Sequence, residues 1–231
     1  MLDSQKIRLY HGTSTFWLRF ILDEGLGAQN ILEKYDVLRF GLHVKRIALK
    51  YLNGFEVMKY DIPYLDQMLS QKTGSGLGSW SHGSVFLSSC PSTAASYAQN
   101  EWGSEILTRA FRFVRAYSEL NDNLFIFFEE FGSLYDVYRS AHNPIMLVLD
   151  LDKDHLLDDA GRDGEFLKKA LLKMKISDDY SIQGGPAFIL KSSVEISINQ
   201  ITIPVQLNSD RTQFNFFKVS DMSPEINKLY L

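Results

Sequence analysis

The stretch that most restricts the fold comes first: a short alternating segment, a polar cluster, then a helix. Ile7-Arg8-Leu9-Tyr10 alternates apolar and polar side chains, as a half-buried strand does. His11-Gly12-Thr13-Ser14 reads as a tight polar loop, and Ser14 or Thr13 can cap the next helix. From Thr15 to Glu24 the residues Phe16, Phe20 and Ile21 recur at helical spacing, so one face is buried. Gly25 stands where a helix C-cap glycine belongs. The unit is strand, polar loop, helix and glycine stop.

Residues 28–72 have helical character, with Ile31, Leu32, Tyr35 and Leu38 on one face and Val44, Ile47, Ala48 and Tyr51 on another. Gly74, Gly76 and Gly78 lie in a loop by composition; without the spacing, strand and helix of a dinucleotide fingerprint, they are not read as a phosphate cradle. Val85-Phe86-Leu87-Ser88 reads as a second strand. Pro91 opens a helix carrying Ala94, Ala95, Tyr97 and Ala98. Residues 104–141 read as helix in two pieces, divided near Asn121-Asp122-Asn123. Ile145 to Leu149 is a buried strand, and Gly164 to Lys175 an amphipathic helix. Phe188-Ile189-Leu190, Val194 to Ile198 and Phe214 to Val219 read as closing strands. This order predicts an α+β fold: an antiparallel or mixed sheet with peripheral helices. It is expected to be one domain, 1–231, with helical insertions at about 28–72 and 104–141.

Several functions are disfavoured at once. A formal net charge of -4 gives no global field toward nucleic acid or anionic lipid. Cys90 is the only cysteine, so no internal disulfide forms, which fits a reducing compartment. His43, His82, His142 and His155 lack metal spacing, and no metal is expected. Asp150, Asp152, Asp154, Asp158 and Asp159 lack the glycine and terminal Glu of a calcium loop and read as a solvated strand end. Arg109, Arg112 and Arg115 share a helix with Phe111 and Phe113; such a face suits phosphates or plain solvent. No apolar run approaches a membrane span, and the N-terminus reads as no signal peptide. A cytoplasmic protein is expected, or one delivered into a target cell without a secretory signal.

Leu9-Tyr10-His11-Gly12-Thr13-Ser14 with Gly25-Leu26, followed by Val85-Phe86-Leu87-Ser88 and a helix bearing Tyr97-Ala98, resembles the diphtheria-toxin-like and poly(ADP-ribose)-polymerase-like ADP-ribosyltransferases. The likeness covers residues 7–26 and 85–98, and more loosely the strands at 145–151 and 186–203. It implies a split β-sheet core, NAD⁺ as substrate, and ADP-ribose transfer to a protein, RNA or DNA acceptor. A toxin, effector or defence role, with an antitoxin or inhibitor as partner, comes with the family.

The resemblance assigns roles residue by residue. His11 hydrogen-bonds a ribose hydroxyl. The backbone of Gly12 clamps the nicotinamide carboxamide, within the Tyr10-His11-Gly12-Thr13 strand end. Tyr97 stacks on the nicotinamide, and Ser88 or Ser89 holds a hydroxyl at the wall. The family's third residue, usually Glu, falls near Ala187, which has no such chemistry; Gln183 is the expected substitute, ahead of Asp178, Asp179 and Glu195. Without the acid, single transfer, NAD⁺ hydrolysis or binding without turnover is expected, rather than chain elongation. The same Tyr10-His11-Gly12-Thr13 resembles the RNA 2′-phosphotransferases. A non-catalytic ADP-ribose-binding module stays open beside both. Read structurally instead, His11 and the serines are caps, Gly12 a turn glycine and Tyr97 a core aromatic.

Overall fold

The computed structural model describes residues 6–70, 83–140, 142–176, 186–208 and 213–222, apart from the side chains of 175 and 176. It is mixed α+β with an antiparallel sheet. Two compact units divide the chain: residues 1–29, 84–103 and 142–231, and residues 30–83 and 104–141. The two segments read as insertions thus form a single body of their own.

The first unit holds the sheet. Strand β1 is Ile7–Ser14 and helix α1 is Thr15–Glu24. The expected polar loop is strand: His11, Gly12, Thr13 and Ser14 pair with Leu147, Met146, Ile145 and Pro144. Ser14 caps α1, accepting the Phe16 N–H at 3.3 Å. Gly25 ends it at φ 94°, donating its N–H to the Ile21 carbonyl.

The second unit is helical: α2 Ile31–Lys34, α3 Val37–Tyr51, α4 Glu56–Leu69, and, after the chain's return to the sheet, three further helices. The return supplies β2, Phe86–Ser88, and α5, Pro91–Ala98. Then come α6 Glu105–Ser118, α7 Phe125–Phe128 and α8 Gly132–Arg139, three helices where two were expected. Asn121 and Asn123 side chains accept the N–H groups of Asn123 and Phe125, which starts α7 separately. Phe40 of α3 centres this core, 5.5 Å from Phe111, 5.6 Å from Phe128 and 5.2 Å from Phe131.

The chain finishes the sheet with β3 Pro144–Leu151, β4 Leu156–Asp158, helix α9 Glu165–Ile176, β5 Ala187–Leu190, β6 Ile201–Gln206 and β7 Phe214–Lys218. Strand order is β4-β5-β2-β1-β3-β6-β7, and every registered pair is antiparallel. The expected strand from Val194 to Ile198 is not formed. Val194 makes an isolated bridge to Leu26, and Ser197 with Gln200 closes a capping box over a 3₁₀ turn. The strand lies just beyond, at Ile201–Gln206. Leu9, Leu147, Leu149, Leu87, Phe188 and Ile201 are fully buried, and Trp17 donates its indole N–H to the Trp102 carbonyl at 2.8 Å.

Candidate functional site

Hydrogen-bond parity decides what β1 offers. Thr15 N–H donates to the Asn143 carbonyl at 2.9 Å, one step past the Ser14↔Pro144 pair. Antiparallel alternation then directs the odd residues of β1 toward β3 and the even ones toward β2. Pro144, with no N–H to give, sits opposite the even residue Ser14 as this requires. On β2, Leu190 N–H donates to the Val85 carbonyl and Ser89 N–H to the Pro186 carbonyl. The odd residues of that segment therefore face β5, and Phe86 and Ser88 face β1.

The β1–β2 register consists of Tyr10↔Ser88 alone. The next even pair would be Gly12 with Phe86, and it has no registered partnership. Instead the Phe86 carbonyl accepts from His11 Nδ1 at 2.9 Å. The β1–β2 register ends before Gly12, whose amide and carbonyl the parity above aims toward the β2 side. A carbonyl acceptor requires a proton on Nδ1, so neutral His11 keeps Nε2 as its acceptor nitrogen. Burial of the half-buried ring lowers its pKa below 6.5, while the Phe86 carbonyl pulls the other way.

Helix α5 lies on the face opposite the His11 side chain. A Cβ built on Gly12 would stand 1.9 Å from the Ala94 carbonyl oxygen and 2.6 Å from the Ala98 nitrogen. Only glycine accepts a helix at that range, and α5 matches it with Ala94, Ala95 and Ala98 buried. The space beside the Gly12 Cα is thus taken by α5; ligand approach is left to its N–H and C=O. Tyr97, next to Ala98, is 52% exposed, so it is not a core aromatic. Helix and strand meet with Tyr97 one residue from the contact on one side and His11 one residue from it on the other. Tyr10 is half-buried against the Ala94, Ala95 and Met146 cluster, and Thr13 is buried.

Ser88 is not available as a wall hydroxyl. Its Oγ donates to the Cys90 carbonyl and accepts the Cys90 N–H, each at 3.0 Å, and so shapes the turn into α5. Ser89 is spent likewise, its Oγ donating to the Pro186 carbonyl at 3.0 Å. Ala187 pairs with Ser88 in β5, in line with Tyr10, at the sheet position where the resemblance asks for an acid. Glu195 is exposed beside the Leu26↔Val194 bridge past the end of α1, away from this row. Gln183, Asp178, Asp179, His82 and the glycines 74, 76 and 78 lie outside the described residues.

Sequence reasoning missed Phe86. Its carbonyl fixes the His11 tautomer, and its ring is 37% exposed. Strand alternation was the available signal: with Leu87 inward, an aromatic at 86 faces out. Two aspartates of the acidic stretch have structural partners. Asp158 is buried, not solvated: burial raises its pKa, but bonds from Arg162 and from the N–H groups of Ala160 and Arg162 hold the carboxyl below the usual range. Asp150 pairs with Arg8 through both oxygens, at 2.9 and 2.8 Å. Among the described residues no group of His, Cys, Asp and Glu is arranged to hold a metal, and no helix is long and apolar enough to cross a membrane. No family model matches the chain, and no curated protein or solved structure matches it significantly.

Proposed function

We propose that the sheet unit binds NAD⁺ and transfers one ADP-ribose to a macromolecular acceptor, in the manner of the ADP-ribosyltransferases. The supporting observation is the end of the β1–β2 register before Gly12, where a backbone donor and acceptor adjoin an imidazole whose tautomer Phe86 fixes. A carboxamide needs one donor and one acceptor, and the Gly12 C=O and N–H supply them. Nε2 of His11 accepts from a ribose hydroxyl, and the Tyr97 ring offers a face to the nicotinamide. These contacts orient the glycosidic bond. The bond from nicotinamide to ribose C1′ breaks with its electron pair leaving on the nicotinamide. The acceptor's nucleophile, oriented by Gln183, forms the new bond at C1′ and loses its proton to solvent.

Ala187 favours a second reading, an ADP-ribose-binding module without turnover, because it leaves the acid position empty of acid–base chemistry. One experiment separates the two. The full chain is incubated with labelled NAD⁺ and cell extract, and portions are treated with protease or nuclease. Label on a polymer, lost with His11→Ala and with Tyr97→Ala, is the expected result. Thermal stabilisation by NAD⁺ without nicotinamide release selects the binding module. Wild-type turnover in both variants refutes the site.

A further inference from the structure

The arginines of α6 point to a second surface. Phe111 and Phe113, their neighbours in sequence, are fully buried. The aromatics that accompany the arginines belong to α4 instead. Tyr60 and Tyr64 are each 53% exposed, while Asp61, Leu65 and Met68 take the buried side of that helix. Four residues apart, the two tyrosines stand about 6 Å apart along the helix axis. Arg109 of α6 lays its guanidinium 4.8 Å from the centre of the Tyr64 ring, and the Lys59 ammonium is 5.2 Å from that of Tyr60.

The charge beneath converges on one carboxylate. Arg109 and Arg112 both donate to Oδ1 of buried Asp61, the latter at 3.3 Å. Two guanidiniums on one carboxylate leave cationic groups at the surface of α6, and Lys59 places another on α4. Glu56 and Glu105 stand one turn before Tyr60 and Arg109. Burial pushes the Glu105 carboxyl up, although Arg109 draws it down. Asp66 is engaged by Lys45. Lys59, Arg109 and Arg112 are thus matched in number by Asp61, Glu56 and Glu105, so flat aromatic rings rather than net charge dominate the surface. That favours a ligand that presents π-faces and phosphates together over an acidic peptide, which needs more cations and has no use for two exposed rings.

We propose that this face of α4 and α6 binds single-stranded nucleic acid, with bases stacked on Tyr60 and Tyr64 and phosphates held by Arg112 and Lys59. A duplex hides its base faces and is a poorer ligand. The inference goes beyond the NAD⁺ reading and stands apart from it, so binding is measured with no NAD⁺ present.

The test is fluorescence anisotropy of the full chain with fluorescein-labelled oligouridylate, oligothymidylate and a mixed-sequence duplex. Single strands are expected to bind in preference to duplex. The double variant Tyr60→Ala/Tyr64→Ala loses at least about tenfold in affinity. Arg112→Gln lowers the slope of log affinity against log salt by about 0.7, the share of one phosphate contact on a single strand. Both variants change only surface side chains, and circular dichroism checks that each is folded; Arg109 is kept, because Asp61 depends on it. Failure of either single strand to bind at low salt overturns the proposal. So does wild-type binding by the folded double variant, equal binding of duplex, or equal competition by polyglutamate.

Discussion

Replacing Gly12 with alanine tests the seating of α5. The new methyl group would lie 1.9 Å from the Ala94 carbonyl oxygen and 2.6 Å from the Ala98 nitrogen, where ordinary contact begins at 3.4 Å. Strand or helix must retreat by about 1.5 Å, the larger shortfall between those values. Both obstructing atoms are backbone, so no rotamer change relieves the clash. Overpacking costs about 1–3 kcal/mol, and a backbone clash belongs at the upper end, about 3 kcal/mol. For a chain of this length that lowers Tm by about 6–12 °C. Calorimetry on Gly12→Ala measures it, with Gly132→Ala as control. A Cβ on Gly132 meets nothing within 4 Å, and its φ is not positive; that variant should melt at or slightly above the wild-type temperature. Stabilisation by NAD⁺ should be lost in Gly12→Ala, because Tyr97 moves with α5. A Gly12→Ala protein with wild-type Tm would refute the close helix–strand contact.

Two further outcomes are expected. Because burial lowers the His11 pKa, the folded chain binds fewer protons than the unfolded chain as pH falls below 6.5. The stability this group contributes is present above that pH and declines below it, levelling off under the folded pKa; NAD⁺ affinity holds over that decline and falls as pH passes below the folded pKa, where Nε2 is protonated. Titrating both against pH for wild type and His11→Gln checks this, and an equally steep loss in the variant assigns the effect elsewhere. Asp61→Asn removes the carboxylate shared by Arg109 and Arg112. Both arginines are partly exposed and rehydrate, so the cost sits between surface and buried pairs, about 2 kcal/mol by urea denaturation; no change in midpoint would make the pair incidental.

Much of the sheet unit was legible because its signals are local. The Phe16, Phe20 and Ile21 spacing and the Ser14 and Gly25 caps bracket α1 where it forms. Pro91 marks the start of α5. The polar quartet after Tyr10 misled because composition argues for a loop, whereas β3 supplies ladder partners from far along the chain. Residues 194–198 alternate like a strand, yet a local Ser197–Gln200 bond outcompetes the ladder. At the candidate site, His11 and Tyr97 stood out by type and spacing. The tautomer of His11 did not, since it depends on a carbonyl of another strand. Gly12 was legible as a glycine that something must approach closely; that the something is a helix backbone emerges only from packing. Asp61 gave no signal, since its partners lie on a helix more than forty positions away.

The pairing of β1 with β3 joins the two ends of a long detour. Residues 7–14 find their principal partner only in residues 144–151, after every helix of the second unit has been passed. On the ribosome β1 emerges before α2 to α8 and waits while they are made, the edge that β3 will cover unsatisfied. Contacts so distant in sequence slow the closing step and prolong the interval in which that edge can join the wrong neighbour. Expression at reduced temperature or with a chaperone should therefore raise the yield of correctly assembled chain more than any surface substitution does.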